Sequence, residues 1–205
     1  MSLVFYFSPM STASITHQIL DELQVPHETV TLHLRKGETR TPEFLRINPN
    51  GKVPVIVHDG TPIFESCAIT MYLGEAFGVE RGLFPAAGPD RGLAFQWLVW
   101  THATLGETLS RFLNNTAPQI PEDQRNAAVG ETARGQVGEL LGMLDGWLAG
   151  REWLVGGGFT LVDAHIWSYL MYVQAIGFPL DAHANLAAWA GRVAARPASQ
   201  RAAEG

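Results

Sequence analysis

The chain has 205 residues, 46% hydrophobic and 17% charged, with 14 Lys and Arg against 20 Asp and Glu, for a formal net charge of −6. This acidic balance argues against a nucleic-acid phosphate backbone as partner, and the apolar fraction argues against disorder. A chain of this length forms one large domain or two small ones and buries roughly 70% of its unfolded surface. The single cysteine, Cys67, leaves no intrachain disulfide and no cysteine-built metal site, and fits a reducing compartment. The histidines at 17, 27, 33, 58, 102, 165 and 183 include no pair three or four apart on a helix, so no metal is expected. No Lys or Arg precedes the first apolar stretch, as a secretory leader would require, and no apolar run approaches the roughly 20 residues of a membrane span. The expectation is a cytoplasmic globular protein with no membrane partner.

In chain order, Leu3–Phe7 is an apolar run of strand length. Ser8-Pro9 breaks it, Ser11, Thr12 and Ser14 offer capping hydroxyls, and Ile15, Ile19, Leu20 and Leu23 follow at helical spacing up to Pro26. Val30, Leu32 and Leu34 alternate with polar residues and predict a second strand, parallel to the first across a crossover helix. Residues 43–47 fit one or two helical turns, and Asn48-Pro49-Asn50-Gly51-Lys52-Val53-Pro54 is dense in turn formers. Val55–Val57 and Pro62–Phe64 flank Asp59-Gly60, a hairpin signal, and a helix with Ile69, Tyr72, Leu73 and Phe77 on one face follows Glu65-Ser66. This order of elements is a thioredoxin-like layout.

Residues 78–90, rich in Pro and Gly, suit a linker between a domain at 1–77 and a helical one at 91–205. Leu98, Leu105, Leu109 and Phe112 form one helical stripe, and Val137, Leu140, Leu141, Leu144 and Leu148 form another. After three glycines at 156–158, Thr160-Leu161-Val162-Asp163 is a capping box that opens a helix so apolar that it belongs inside a bundle. Leu186, Trp189 and Val193 mark a last helix, and the chain from Ala198 onward reads as a frayed tail.

Four segments, in this order and spacing, give the chain a resemblance to the cytosolic-type glutathione transferases of bacteria over essentially its whole length. They are Phe7–Ser14, Asn48–Pro54, Glu65-Ser66 with Ala68, Ile69, Tyr72 and Leu73, and Phe159–Ala164. The resemblance implies an α/β thioredoxin-like N-terminal domain that binds glutathione as co-substrate and an all-α C-terminal domain that receives a small hydrophobic electrophile, in a homodimer. It implies a cis peptide at Val53-Pro54, with the Val53 backbone pairing the cysteinyl part of glutathione. Glu65 and Ser66 would grip the γ-glutamyl end, where a carboxylate meets the ligand ammonium and a helix N-terminus meets its carboxylate. Lys52 is the candidate for the glycyl carboxylate.

The family places a thiol-activating Tyr, Ser or Cys after the first strand. Bacterial relatives often carry a cysteine four residues after the Ser of a Ser-Pro pair, a position that is Thr12 here. Ser11 and Thr12 are therefore level candidates, with Ser14 third and the latter better suited to a helix cap. Tyr6 suits the core or a pocket wall, and Cys67 suits packing rather than redox chemistry, having no partner thiol. Met10, Trp97, Trp100, Thr101 and Thr104, with Arg111 nearby, are the candidates for the electrophile pocket, the tryptophans serving equally well as core. Thr160 and Asp163 resemble the family's folding capping box. The leading reading is a glutathione transferase. Other glutathione-dependent chemistry (isomerase, dehalogenase, disulfide reductase) and a non-catalytic dimerisation or scaffold module stand beside it.

Overall fold

The computed structural model describes residues 2–204, with side chains to Arg201. Its N-terminal part runs β1 (Leu3–Phe7), α1 (Ala13–Leu23), β2 (Glu28–Thr31), α2 (Pro42–Ile47), β3 (Val55–His58), β4 (Thr61–Phe64) and α3 (Ser66–Leu73). The sheet order is β2-β1-β3-β4. β1 pairs parallel with β2 and antiparallel with β3, and β3 pairs antiparallel with β4. Phe5 in the inner strand is fully buried, paired with Thr29 on one side and Ile56 on the other. The Asp59-Gly60 hairpin has both residues at positive φ, 46° and 83°, which matches the strand twist. α1 covers the sheet with Ala13, Ile19, Leu20 and Leu23, all buried.

The second strand is shorter than the alternation predicts. Leu32 makes the last rung, donating to the Phe7 carbonyl, and Leu34 lies exposed in a single 3₁₀ turn, Leu34–Lys36, closed by Gly37 at φ 73°. Alternation continued past the edge of the available partner strand, and the backbone turned where pairing ran out.

The helical part comprises α4 (Pro89–Trp100), α5 (Glu107–Thr116), α6 (Ala127–Leu148), α7 (Leu161–Ala175), α8 (Ala184–Ala194) and α9 (Pro197–Glu204). α4 and α5 are joined without a break by a widened π-helical turn, Thr101–Gly106. A similar turn, Gly74–Gly78, extends α3. The chain between α3 and α4 is packed rather than loose. Phe84 is buried against Gly74 and Gly78, and a Cβ on Gly74 would meet the Phe84 ring at 2.5 Å. The Leu83 carbonyl accepts from Leu161 N, tying this segment to the start of α7.

α7 runs through the middle, with nine residues buried, including Leu161, Ile166 and Leu170. Its capping box is present, and Asp163 accepts from Leu154 N, Thr160 N, Thr160 Oγ1 and Trp189 Nε1 at 2.8–3.0 Å. Over residues 198–201, the last with described side chains, the structure corrects the expectation of a frayed tail. α9 packs on α1, Ser199 is buried and takes a hydrogen bond from Gln18 Nε2 at 2.9 Å, and Gln18 Oε1 accepts from Ser168 of α7. Just before α9, Arg196 holds Glu22 by two bonds of 2.7 and 2.8 Å. Among the described residues no helix is long and apolar enough to cross a membrane.

Candidate functional site

Three pieces of backbone meet at one cleft. The loop before β3 is held by Asn48, whose amide donates to the Lys52 carbonyl at 2.7 Å and whose carbonyl oxygen accepts from Asn50 N at 3.0 Å. The Val53-Pro54 peptide that follows is cis. Next to it, Glu65 adopts φ 68°, a left-handed conformation that costs a non-glycine residue about 1 kcal/mol or more and gathers at functional sites. Ser66 then opens α3, whose first amides have no partner within the helix. The third piece is the start of α1, where Thr12 sits at the cap position.

These pieces line a cavity of about 340 Å³ with Thr12, Asn48, Lys52, Val53, Pro54, Glu65 and Ser66 on one wall and His102, Gly106, Ser110 and Tyr169 on the other. A second cavity, of about 610 Å³ and mostly apolar, is lined by Met10, Ser11, Thr12, Ser14, Ile15, Ser168, Tyr169, Met171 and Tyr172. Thr12 and Tyr169 border both.

The hydroxyls around α1 are not equivalent. A hydroxyl stabilises a thiolate by donating its single hydrogen. Ser11 Oγ donates to the Ser8 carbonyl at 2.7 Å and caps Ala13 N at 3.2 Å. Ser14 Oγ donates to the Ser11 carbonyl at 2.9 Å. Thr12 caps nothing with its side chain and is exposed at the junction of the two cavities.

Of the residues expected to form an electrophile pocket, Met10 lines the larger cavity, fully exposed and at φ 54°. The other four stand elsewhere. Trp97 and Trp100 lie in a separate groove with Met143, Gly146, Trp147 and Arg151 that shares no residue with either cavity. Thr101 is buried and donates to the Trp97 carbonyl, and Thr104 is exposed outside both cavities. Trp97 and Trp100 precede the π-helical turn and stand on another face of the helix from His102. The face turned to the cleft carries His102, Gly106 and Ser110, at intervals of four. A Cβ at Gly106 would meet Tyr169 Oη at 2.9 Å, so a larger residue there would push the phenol aside. α7 contributes Ser168, Tyr169, Met171 and Tyr172 to the wall of the larger cavity.

The sequence reading missed His102 and His165. His102 Nε2 lies 2.8 Å from His165 Nε2 and 3.3 Å from Ser66 Oγ, and His165 Nδ1 lies 2.8 Å from Thr70 Oγ1. Burial holds His102 below the ordinary histidine value, with the Glu65 charge opposing, and holds fully buried His165 well below it. Burial, with Tyr172 nearby, pushes the Tyr169 phenol up to about 12. Burial and the Glu65 charge push the Cys67 thiol up to about 11, the opposite of a reactive cysteine. Tyr6 packs edge-on against Phe44, outside both cavities.

Residues 2–75 match the glutathione S-transferase N-terminal domain family, and residues 102–197 match its C-terminal domain family. The chain is 32% identical to the disulfide-bond oxidoreductase YfcG of Escherichia coli, over 96% of this chain and 92% of that one. It is 28% identical to the E. coli glutathione S-transferase GstB, over 89% and 88%. A glutathione transferase homologue from Lodderomyces elongisporus, crystallised with two glutathiones per subunit, has the same fold, with a TM-score of 0.88 at 19% identity over 100% of this chain and 98% of that one. Both domain families follow one another along the chain in the order of its two structural parts, and the protein belongs to the glutathione S-transferase family.

Proposed function

We propose that the protein is a glutathione transferase that conjugates the glutathione thiolate to a small hydrophobic electrophile. In this reading glutathione lies in the smaller cavity. Glu65 takes its ammonium, Ser66 Oγ and the first amides of α3 take the γ-glutamyl carboxylate, the Val53 backbone pairs the cysteinyl unit, and Lys52 meets the glycyl carboxylate. The thiol loses its proton to water, and the thiolate rests against the Thr12 hydroxyl and the N-terminus of α1. It attacks carbon on an electrophile held in the larger cavity, forming a C–S bond as the leaving group departs with its electron pair. Alignment of the two reactants supplies much of the rate.

The observation that carries this reading is the position of Thr12, shared by both cavities with its hydroxyl hydrogen uncommitted, while the hydrogens of Ser11 and Ser14 are taken by backbone carbonyls. The test compares Thr12→Val with Ser11→Ala in conjugation of a chloronitrobenzene. Thr12→Val should lower turnover by about 10²-fold, the effect of losing one donor to a developing anion, with glutathione affinity within about threefold. Unchanged turnover in Thr12→Val refutes the assignment of Thr12. Loss of activity in Ser11→Ala alone moves the role to Ser11.

A second reading, glutathione-dependent disulfide reduction, is favoured by the relative named a disulfide-bond oxidoreductase. Cys67 would take no part. One glutathione thiolate attacks the substrate disulfide and releases one substrate thiol, and a second glutathione resolves the mixed disulfide to give oxidised glutathione and the second thiol. Turnover of hydroxyethyl disulfide without conjugation of the chloronitrobenzene selects this reading. Failure of both with intact glutathione binding selects the scaffold role. A homodimer and a cytoplasmic location complete the proposal, the former tested by light scattering.

A further inference from the structure

Behind Ser66 stands a chain of four polar side chains reaching into the core. Thr70 Oγ1, His165 and His102 are linked at 2.8 Å, and Ser66 Oγ lies at 3.3 Å from the His102 nitrogen that also faces His165. His165 and Thr70 are fully buried, while His102 lines the cleft. A ring nitrogen holds one hydrogen or one lone pair. The shorter contact therefore commits His102 Nε2 to His165. Either His102 donates to His165, which then donates from Nδ1 to Thr70, or Thr70 donates to His165, which then donates to His102. In both arrangements the His102 nitrogen is engaged, and the hydroxyl hydrogen of Ser66 is left for an acceptor in the cleft.

We propose that His102 is a positioning residue for the carboxylate that Ser66 receives, and that its ring takes up a proton when that carboxylate binds. The proposal rests on the reading of the smaller cavity as a glutathione site. A protonated His102 can only donate from Nε2, and His165 accepts that hydrogen while donating from Nδ1 to Thr70, so Ser66 still has its own hydrogen to give to the ligand. The cation also faces the incoming negative charge. The groups around His102 are Glu65 and Ser66 from α3, His165 and Tyr169 from α7, and Lys52 in the same cleft. Glu65 is the carboxylate among them, and the ligand ammonium would engage it. Burial keeps the free ring neutral near pH 7; the ligand ammonium offsets the Glu65 charge that favours the cation, and the ligand carboxylate, received by Ser66 beside the ring, supplies the stronger pull toward the charged form. Ligand binding is then tighter at lower pH.

The experiment is calorimetry with S-methylglutathione, whose blocked thiol removes proton release at sulfur. It is run at about pH 7.5 and about pH 5.5 in buffers of different ionisation enthalpy. Wild type should bind about tenfold more tightly at the lower pH, with net proton uptake. Its analogue lacking the γ-glutamyl α-carboxylate should show neither effect. His102→Gln, which keeps an amide that can meet His165 but cannot take a proton, should bind with a flat pH profile. His165→Leu frees the His102 nitrogen to capture the Ser66 hydrogen, and should weaken binding several-fold at pH 7.5 while keeping the pH dependence. If wild type binds with no pH dependence, or His102→Gln retains it, the role of His102 is overturned and the glutathione site stands. If His165→Leu binds like wild type at pH 7.5, the backing by His165 is overturned. If wild type binds no S-methylglutathione at millimolar concentration at either pH, the glutathione site fails and this inference with it.

Discussion

Replacing Asp163 with Ala removes more than a helix cap. The fully buried carboxylate accepts hydrogen bonds from Leu154 N at 2.9 Å, Thr160 N at 2.9 Å, Thr160 Oγ1 at 3.0 Å and Trp189 Nε1 at 2.8 Å. The Thr160 hydroxyl can turn to another acceptor. The other three donors are fixed, and Leu154 and Trp189 are buried. Each stranded donor costs about 1–3 kcal/mol. Against this, the substitution relieves the burial that raises the Asp163 pKa, so the carboxylate itself is costly to hold there. The net loss is therefore about 3–5 kcal/mol, as for breaking other buried charged networks. For a chain of this size that is a fall in Tm of about 6–20 °C. Urea and thermal unfolding followed by circular dichroism measure it. Asp163→Asn keeps an acceptor for Leu154 and Trp189 but turns an amide toward Thr160 N, and should lie between the two. An Asp163→Ala variant within about 1 kcal/mol of wild type would refute the view that this carboxylate joins three segments rather than capping one. The site depends on the outcome, since α7 carries His165, Tyr169, Met171 and Tyr172.

Two further predictions concern stability. His102 and His165 are held neutral by burial, so the unfolded chain binds their protons at a higher pH than the folded one. Stability should therefore be fully present above the ordinary value of 6.5 and fall as pH drops below it toward the folded-state values, with His165 contributing a slope of at most about 1.4 kcal/mol per pH unit and His102 less. Urea midpoints between pH 8 and pH 5 should show this, and a His165→Leu slope equal to that of wild type would exclude His165 as a source. Arg196 meets Glu22 in a two-pronged pair, with Glu22 almost buried and the guanidinium lying over Phe159. Arg196→Met leaves Glu22 unpaired and should cost about 2–3 kcal/mol, discounted from a fully buried pair because Arg196 is partly exposed. A double-mutant cycle with Glu22→Gln that returned no coupling would refute the pairing as the cause.

What the sequence disclosed was local. The run through Val53-Pro54, the Glu65-Ser66 pair and the Thr160–Asp163 box are each carried by neighbours in the chain, and each element stands where its residues predict. The features that were not legible arise between distant segments. Ser199 looked like part of a frayed tail because the Gln18 that buries it lies 181 residues away. Aromatic residues at helical spacing on α4 suggest a flat apolar surface, yet Trp97 and Trp100 line a groove apart from the cleft, and spacing alone carries no sign that His102, Gly106 and Ser110 line the cleft or that a π-helical turn runs over Thr101–Gly106. His102 and His165 lie 63 residues apart and each is solitary in its own segment, so a search for paired histidines on one helix passes over them. Their meeting requires α7 to cross the widened turn closely, which Gly106 permits by leaving room for Tyr169. A glycine, a helical irregularity and two unremarkable histidines thus acquire meaning only together, and the part of the site most open to experiment is the part that only the tertiary structure assembles.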